Sequence, residues 1–393
     1  MTDYLIIGGG IIGLSIAIEL KKTYPDAAIT LIEKEPGLGM HSSGRNSGVL
    51  HAGFYYTADS LKARFTREGN AALRAFCHKQ GLPINEAGKV VVATNAEEDA
   101  TLETLMERGR ANGVELSWLT QKQLQARYPN VASFRRALFS PTTATVDPRQ
   151  VTETFGDVAR GLGITIRLNC RYERWLEDHA IQTACGTLRY GHLINAAGLY
   201  ADRIAQDFGC GKEYTILPFK GIYLKDPANR SGLLTNIYPV PNLANPFLGV
   251  HFTLAVDNAA KIGPTAIPAF WRENYRGLAN FDLKEMIEIL GWEARLFLGN
   301  DFGFRSLAIE EIRKYSRRHL LSLARRLTRS MPLEHYDTWS EPGIRAQLLN
   351  RHTRELVQDF VVEHEGSTTH ILNAVSPAFT ASIPFARWVV AGL

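Results

Sequence analysis

A short run near the start of the chain combines the flexibility and the charge that dinucleotide binding requires. Residues 8–13 read GGGIIG, and Glu33 follows about 20 residues after the last glycine. Gly8 permits a tight turn, Gly10 lets the backbone approach a pyrophosphate, and Gly13 allows a helix to pack closely on a strand. Glu33 is the acid expected on a ribose hydroxyl, and its charge disfavours a 2′-phosphate. The pattern predicts a site for NAD or FAD.

The residues around this turn predict the elements that position it. Residues 4–7 are apolar with β propensity, and apolar positions at helical spacing follow from Leu14 to Leu20. A second apolar run, 28–32, predicts the strand that ends in Glu33. The helix is expected to begin at the glycine turn, so that its unpaired N–H groups face the phosphates.

The segments that follow favour FAD. Residues 41–56 read HSSGRNSGVLHAGFYY and resemble the stretch that holds the flavin diphosphate and ring edge in the FAD-dependent D-amino-acid-oxidase-like superfamily. INAAGLYAD at 194–202 resembles the second dinucleotide motif of that superfamily, and ILNAVSPAFT at 371–380 its C-terminal flavin segment. The resemblance implies non-covalent FAD, because this C-terminal segment lacks the cysteine of covalent relatives. The implied FAD contacts are Gly8, Gly10, Ile12, Gly13, Glu33, Lys34, Ser43, Gly44, Asn46, Ser47, Gly48, Ala197, Gly198, Ser376, Pro377 and Ala378.

Longer phrases resemble one family within that superfamily. They are NSGVLHAGFYY at 46–56, LPFKGIYL at 217–224, NIYPVPNLANPFLGVHFT at 236–253, KIGPTA at 261–266 and EPGIRAQ at 341–347. Their order and spacing are similar to those of the L-2-hydroxyglutarate oxidase/dehydrogenase family over nearly the whole chain. The resemblance implies oxidation of L-2-hydroxyglutarate to 2-oxoglutarate, with FAD as hydride acceptor and a quinone or oxygen as the final electron acceptor.

The expected fold is α/β, with a Rossmann-like FAD-binding domain built from three chain segments and an inserted α+β substrate (cap) domain. Segments 1–80, 145–212 and 340–393 are expected to form the FAD-binding domain, and segments 81–144 and 213–339 the substrate domain. Helices are predicted from Ser60 or Asp59, over 97–112 and 120–127, and from Pro148. A strand is predicted at 89–94 and another at 356–363, and an apolar helix from Ile383.

A dicarboxylate 2-hydroxy acid needs cations or N–H donors for its carboxylates and a base for its hydroxyl proton. Lys220 and Arg345 are cations inside otherwise apolar segments, and an arginine can bind a carboxylate through two parallel hydrogen bonds. A snorkelling position at the surface is the alternative for both cations. Tyr238 and Tyr55 are candidate walls of the substrate pocket, with packing in the core as the alternative.

Two histidines are candidates for the base. Residues 247–253 predict a strand whose alternation places His251 on one face with Thr253. His51 lies in the flavin loop and resembles a ring-proximal residue of the related glycerol-3-phosphate dehydrogenases. Either histidine is a candidate to accept the hydroxyl proton while the other orients the substrate, and a purely structural hydrogen bond is the alternative for each.

The segment 313–329 interleaves basic with apolar residues and predicts a basic amphipathic helix. Such a helix either rests on an anionic membrane surface or presents a solvated basic face. The expected partners are a small dicarboxylate substrate, an electron acceptor and, through this helix, a membrane surface. Nucleic acid is not expected, because the aromatic and basic platform that binds single strands is missing.

Two alternatives stay open. One is an amino-acid or amine oxidase of the sarcosine or glycine oxidase type, which would not need a second cation for a second carboxylate. The other is a flavoprotein that acts on RNA through the segment 313–329, which a binding assay with salt titration would reveal.

Composition narrows the class of protein further. The 393 residues include 44 Lys and Arg against 40 Asp and Glu, a net charge of +4 that is too small to favour nucleic acid. The four cysteines lie far apart, so we expect neither a disulfide framework nor a metal site. No apolar run reaches the ~18 to 20 residues that span a bilayer. The start lacks the basic region of a signal peptide, so we expect a cytoplasmic protein, associated in the alternative with the inner face of the membrane.

Overall fold

The computed structural model describes residues 2–177, 179–241, 249–374 and 376–393, which form two compact units. The first unit comprises residues 1–46, 148–218 and 344–393, and the second comprises 47–147 and 219–343. The division predicted from the sequence differs mainly at residues 47–80. They are predicted to join the nucleotide-binding segments, whereas in the structure they belong to the second unit.

The first unit is built on an eight-stranded sheet with a parallel centre. The parallel strands lie in the order Thr368–Asn373, Gly186–Asn195, Thr2–Ile7, Ile29–Ile32 and Thr165–Arg167. Antiparallel strands extend the sheet at Tyr172–Leu176, Ala180–Thr183 and Val361–Glu365. Leu5, Ile7 and Leu193 are buried in its core, as the apolar runs of a covered parallel sheet require. The predicted α/β class with a Rossmann-like domain is confirmed.

The α-helices of the first unit are Ile11–Thr23, Pro148–Gly161, Ala201–Asp207 and Ala378–Ala391, and a 3₁₀ turn lies at Gly198–Tyr200. The first of them packs against the second and the last. The last helix begins at Ala378 rather than at the predicted Ile383, since Pro377 is tolerated where a helix begins. The strand predicted at 356–363 is Val361–Glu365, because the turn at Gly366 (φ +53°) sets its pairing with Thr368–Asn373.

The second unit is built on a different eight-stranded sheet. Its strands lie in the order Thr338–Trp339, Leu224–Asp226, Ala260–Gly263, His251–Leu254, Asn236–Pro239, Lys89–Val92, Arg136–Ser140 and Ser117–Thr120. Asn236–Pro239 and Lys89–Val92 pair in parallel, and the other pairs are antiparallel. Val90 and Val92 enter one buried apolar cluster and Val91 another, because alternate residues of a strand point to opposite faces.

Shorter strands complete the second unit. Val49–Leu50, Ala144–Val146 and Ile84–Asn85 form a small antiparallel sheet. Tyr214–Gly221 ends in this unit, where it pairs with Ile267–Pro268, and Gly343–Asn350 continues into the first unit.

The α-helices of the second unit are Leu61–Gln80, Ala96–Ala111, Gln121–Arg127, Leu283–Gly299, Phe304–Arg313 and Arg317–Arg325, with 3₁₀ turns at Asp301–Gly303 and Leu333–His335. Ser60 begins the first of them by accepting a hydrogen bond from the Ala63 N–H at 3.1 Å, which confirms the predicted cap. Among the described residues, no helix has the length and apolar character needed to cross a membrane.

The basic segment 313–329 is not one helix, which corrects the sequence prediction. One helix ends at Arg313, a new one begins after Ser316 and ends at Arg325, and Lys314 between them is buried and ion-paired with Glu311. The helix is interrupted here because the Ser316 hydroxyl accepts a hydrogen bond from the His319 N–H and caps the start of the second helix. Several cations of the segment already have protein acceptors in this unit.

Candidate active site

The glycine turn of the first unit leaves no room for side chains. Gly8 has φ +114°, and a Cβ there would stand 2.4 Å from the Ala196 carbonyl oxygen. A Cβ on Gly13 would stand 2.0 Å from the carbonyl oxygen of Gly8. Both positions therefore require glycine, which agrees with the roles that the sequence predicts for them.

The helix that follows the turn has backbone N–H donors available in its first turn. The Ile11 N–H donates to the Ser43 hydroxyl at 2.9 Å, so the predicted cofactor residue Ser43 lies at the helix start. Gly10 is the N-cap residue and has no side chain that could cap the first turn. The N–H groups of Ile12 and Gly13 lie in that first turn and have no acceptor inside the helix. This is the donor set that a diphosphate needs.

Glu33 lies at the end of its strand and holds the turn in place. Its Oε2 accepts a hydrogen bond from the Gly9 N–H at 2.7 Å, and its Oε1 accepts one from the Glu35 N–H at 2.9 Å. Each carboxylate oxygen can accept a further bond, so the predicted contact with a ribose hydroxyl stays available.

Lys34 lies beside this strand end, in a small charged cluster. Its Nζ donates to Glu35 Oε1 at 2.5 Å, and His41 Nε2 lies 2.9 Å from the same oxygen. The hydrogen bond from His41, followed by Lys34, lowers the pKa of Glu35 to about 2. Lys34 therefore has an internal counter-ion in addition to its predicted role toward the cofactor.

The remaining predicted FAD contacts of the first unit lie in turns and at helix starts. Asn46 Nδ2 donates to the carbonyl oxygens of Ser42 and Ser43 and so orders the loop, and a Cβ on Gly44 would stand 2.4 Å from the Gly39 carbonyl oxygen. At the other two segments, the contacts lie at a strand-to-helix turn and at the start of the last helix; they are Ala197, Gly198, Ser376, Pro377 and Ala378. The glycine cradle and its free donors fit the diphosphate of FAD.

Ser47 and Gly48 belong to the second unit. Ser47 Oγ accepts a hydrogen bond from the Val49 N–H at 3.3 Å, and the carbonyl oxygen of Gly48 accepts one from the Val146 N–H at 2.9 Å. These bonds anchor the predicted flavin loop to the small sheet of that unit.

One face of the large sheet in the second unit gathers buried polar groups. Ile237 pairs with Phe252, so Tyr238 and His251 are opposite each other on neighbouring strands. Their rings stack, with centroids 3.8 Å apart and planes 20° apart. Tyr55 is buried on this face and packs against Phe54. Burial raises the pKa of both Tyr55 and Tyr238, so both phenols are neutral.

His251 is held in one tautomer. Its Nδ1 lies 2.8 Å from the carbonyl oxygen of Gly249, and because a carbonyl only accepts, Nδ1 carries the proton and Nε2 the lone pair. Burial is the main cause that lowers the pKa of His251 to about 3, and the positive charges of Lys89 and Lys314 lower it further. The ring is therefore neutral at physiological pH. His251 and Thr253 both lie in the strand His251–Leu254, as predicted, whereas Phe247 lies outside the described residues.

His51 is the second predicted histidine, and it is also buried in this unit. It lies directly after the short strand Val49–Leu50, which pairs with Ala144–Val146. The two histidines therefore come from separate elements of the same unit.

Lys89 is a residue that the sequence reasoning missed. Its side chain is fully buried, and its Nζ lies 4.4 to 4.8 Å from the ring centroids of Tyr55, Phe54 and Tyr238. Among the described residues, no acceptor lies within hydrogen-bond distance of this nitrogen. Burial lowers its pKa from 10.5 to about 7. A charged residue opening the apolar run KVVVA was the signal available in the sequence.

The two predicted carboxylate-binding cations lie in strands. Lys220, near the end of Tyr214–Gly221, is half-buried, its Nζ donates to Asn274 Oδ1 at 3.1 Å, and burial lowers its pKa. Arg345, in Gly343–Asn350, is partly buried in the first unit. Both cations have intermediate exposure, so their predicted roles as carboxylate-binding residues stay predictions.

Comparisons with known proteins identify the family of this chain. The model of the family described as FAD dependent oxidoreductase matches residues 3–391. L-2-hydroxyglutarate dehydrogenase of Escherichia coli (strain K12) is 37% identical over 99% of this chain and 92% of its own length. The mitochondrial L-2-hydroxyglutarate dehydrogenase of Mus musculus is 34% identical over 98% of this chain and 86% of its own.

A solved structure is similar over the same length. The dithionite-reduced L-alpha-glycerophosphate oxidase of Mycoplasma pneumoniae, with FAD bound, gives a TM-score of 0.76 at 22% identity and covers 99% of this chain and 94% of its own. At that identity the likeness shows the fold alone, whereas the family match and the two dehydrogenases carry the assignment. The chain therefore belongs to the FAD-dependent oxidoreductases and, within them, to the family of its L-2-hydroxyglutarate dehydrogenase relatives.

Proposed function

We propose that this protein oxidises L-2-hydroxyglutarate to 2-oxoglutarate. The observation that carries the proposal is the 37% identity to a named L-2-hydroxyglutarate dehydrogenase over 99% of the chain. The buried histidines and tyrosines of the second unit supply the proton-accepting and orienting groups that oxidation of a hydroxy acid needs.

His251 is the base in this proposal. Its Nε2 holds the lone pair, because the Gly249 carbonyl fixes the proton on Nδ1, and stacking on Tyr238 fixes the plane of the ring. Nε2 therefore accepts the hydroxyl proton of the substrate. Bound FAD would supply the acceptor for the hydride that leaves C2. The negative charge of the substrate carboxylates raises the basicity of the imidazole as the complex forms.

His51 orients the substrate in this proposal, and Tyr55 and Tyr238 form walls that exclude water. Arg345 and Lys220 bind the carboxylates, Arg345 through a bidentate pair and Lys220 as a point charge. The pKa of Lys220 is lowered by burial, and a carboxylate close to its ammonium would raise this pKa again.

Anaerobic reduction of the bound flavin tests the proposal. The purified protein should be yellow, and acid precipitation should release the flavin into the supernatant, since no cysteine lies in the segment 371–393. L-2-hydroxyglutarate should bleach the flavin, whereas D-2-hydroxyglutarate, L-lactate, L-malate and sarcosine should bleach it much more slowly. Preferential bleaching by sarcosine or glycine would instead establish the amine oxidase alternative, and flavin that stays in the pellet would contradict non-covalent binding.

We also propose that the electrons pass to a quinone, with oxygen as the alternative, and that the protein contacts an anionic membrane surface. The segment 313–329 is weakened as the contact because its helix is interrupted and three of its cations, Lys314, Arg317 and Arg329, have acceptors in this unit. Arg317, for example, donates to the carbonyl oxygens of Tyr336 and Glu334. A better-supported contact is the neighbouring surface that we call the 278–312 apolar surface. Its exposed apolar side chains are Leu278, Phe281, Leu283, Ile287, Leu290, Phe297, Leu298, Phe302, Ile309 and Ile312.

The segment 278–312 carries charges of both signs, with three basic and seven acidic residues. Lys284, Arg295 and Arg305 are exposed on or beside its first helix. Glu293, on the same helix, is mostly buried, and burial raises its pKa to about 8, so its carboxyl is largely neutral at pH 7. The exposed apolar side chains, rather than the charge, therefore support this surface as the contact.

A further inference from the structure

We propose that Lys89 is a positioning residue whose ammonium, buried behind the rings of Tyr55 and Tyr238, opposes protonation of the His251 imidazole when a dianionic substrate binds beside it. The inference rests on the proposed function in so far as it takes His251 to be the base. It extends that function to a residue that contacts neither cofactor nor substrate in the proposed mechanism.

The geometry places Lys89 and His251 on one face of one sheet. Lys89 pairs with Asn236, and Tyr238 lies two residues further along that strand, opposite His251. Alternation therefore turns Lys89, Tyr238 and His251 to the same side. The Tyr238 ring contacts both partners, with His251 stacked on it and the Lys89 Nζ 4.8 Å from its centroid.

Lys89 occupies this position at a cost in stability that packing alone does not explain. A fully buried ammonium without a hydrogen-bond acceptor among the described residues is unfavourable, and cation–π contacts offset only part of that cost. A methionine would fill the same space without a charge. A functional requirement for Lys89 would therefore concern its charge rather than its volume.

The positive charge of Lys89 becomes relevant to His251 when a negatively charged ligand binds. Two carboxylates close to an imidazole favour its protonated form, and a protonated His251 cannot accept a proton from the hydroxyl group. A nearby positive charge opposes this effect, so the ring stays neutral until the reaction supplies a proton. The buried position suits an indirect effect through space, because no substrate atom needs to reach Nζ.

The other charged and titratable groups near His251 do not take over this role. Lys314 also lowers the pKa of His251, but its charge is balanced by the buried ion pair with Glu311. Lys261, on the next strand, interacts with Lys225, Asp257 and Asp147. The phenols near Tyr238 belong to Tyr55, Tyr56 and Tyr223.

Three variants of the holoenzyme test the proposal: Lys89→Met removes the charge, Lys89→Arg keeps it, and Lys261→Met removes the charge of a partly buried lysine on the next strand. Selective ¹⁵N labelling of histidine, with His251 assigned by a His251→Gln variant, reports the protonation of the ring without turnover. In Lys89→Met the pKa of His251 should rise by about one pH unit, the effect expected of one charge at this range. The acid limb of the anaerobic flavin-reduction rate should move by the same amount.

Lys89→Arg and Lys261→Met should leave the pKa of His251 at the wild-type value. An unchanged pKa in Lys89→Met, or an equal rise in Lys261→Met, overturns the proposal. If Lys89→Met does not fold, the wild-type holoenzyme still decides, because the Nε2 resonance of neutral His251 should shift with a midpoint near pH 7 as Lys89 loses its proton. Absence of that shift overturns the proposal. A linkage seen by NMR in a protein that does not oxidise 2-hydroxyglutarate would refute only the proposed function.

Discussion

Some residues of this protein are buried with a gain in free energy, and others are buried at a cost. Leu5, Ile6 and Leu14 are buried because the core gains free energy from them, whereas Lys89, Tyr238 and His251 are buried although each keeps a polar atom that resists burial. The second group lies on a single face of a single sheet. Such concentration of perturbed groups is typical of functional sites.

Lys89 should make the stability of the protein depend on pH in a definite direction. Its pKa is 10.5 when unfolded and about 7 when folded, so between these values the unfolded chain binds more protons. The free energy of unfolding should therefore rise with pH, by up to ~1.4 kcal/mol per pH unit from this group. Lys89→Met should remove that slope and be more stable than wild type at pH 7.

Denaturant titrations of both holoproteins at several pH values between 7 and 10 measure this effect. The difference between variant and wild type should be largest at pH 7 and shrink as the pH rises. Parallel curves for the two proteins would show that Lys89 keeps an ordinary pKa, and would remove the physical basis of its proposed role.

Elements that carry a strong local signal were predictable, and the glycine turn is the best example. GGGIIG between an apolar run and a helical pattern specified the strand, the turn and the helix, because each glycine answers a steric need within a few residues. The strand Lys89–Val92 was equally predictable as a strand. Its neighbours were not, since pairing with Asn236–Pro239 and contact with Tyr55 depend on residues far away in the chain.

The wrong element predictions also have local causes. Basic and apolar residues alternate through 313–329 as in one helix, but the cap at Ser316 divides it, and a single serine gives little warning of this. The predicted start at Ile383 followed the apolar residues, whereas the helix actually starts at Ala378, right after Pro377.

Gly13→Ala should disrupt FAD binding at the level of the strand–turn–helix element. The new Cβ would stand 2.0 Å from the Gly8 carbonyl oxygen, so the helix must move away from the turn and its donors from the diphosphate. We expect FAD affinity to fall at least roughly tenfold, about 1.4 kcal/mol. The ratio of flavin absorbance to protein measures the loss.

Gly161→Ala is the matched control for that substitution. It lies at the end of a helix in the same unit, and nothing stands within 4 Å of its new Cβ. This variant should keep its flavin. A Gly13→Ala protein with a full complement of FAD would show that the turn tolerates a side chain and that the diphosphate binds elsewhere.

On the scale of the whole molecule, the sequence predicted that distant segments assemble one nucleotide-binding fold, since motifs at 8–13, 194–202 and 371–380 all resembled parts of it. Motifs did not predict that residues 47–80 belong to the second unit. Their membership depends on strand pairing of Val49–Leu50 with Ala144–Val146, which local patterns do not encode. Strand pairing between distant segments therefore determines the boundaries between the units, whereas local sequence motifs indicate the candidate site residues.

The proposed membrane contact through the 278–312 apolar surface also concerns the whole molecule and can be tested. Ile287 and Leu298 are 63% and 77% exposed on the 278–312 apolar surface. Burial of such side chains in a lipid interface contributes up to ~1.5 to 3 kcal/mol each. The double variant Ile287→Glu, Leu298→Glu should therefore bind vesicles of phosphatidylglycerol and phosphatidylcholine at least roughly tenfold more weakly than wild type. Co-sedimentation with the vesicles measures the difference.

The double variant Arg318→Glu, Arg325→Glu serves as the comparison, because both arginines are exposed on the helix Arg317–Arg325 within the segment first predicted to contact the membrane. It should weaken binding less than the apolar double variant does, because its charges lie outside the 278–312 apolar surface and act only through long-range electrostatics, which high salt removes. If the arginine variant loses binding and the apolar variant keeps it, the contact lies on 313–329 after all. If neither binds differently, but the apolar variant alone changes from dimer to monomer in sedimentation, the 278–312 apolar surface pairs with a second copy of the chain instead of a membrane.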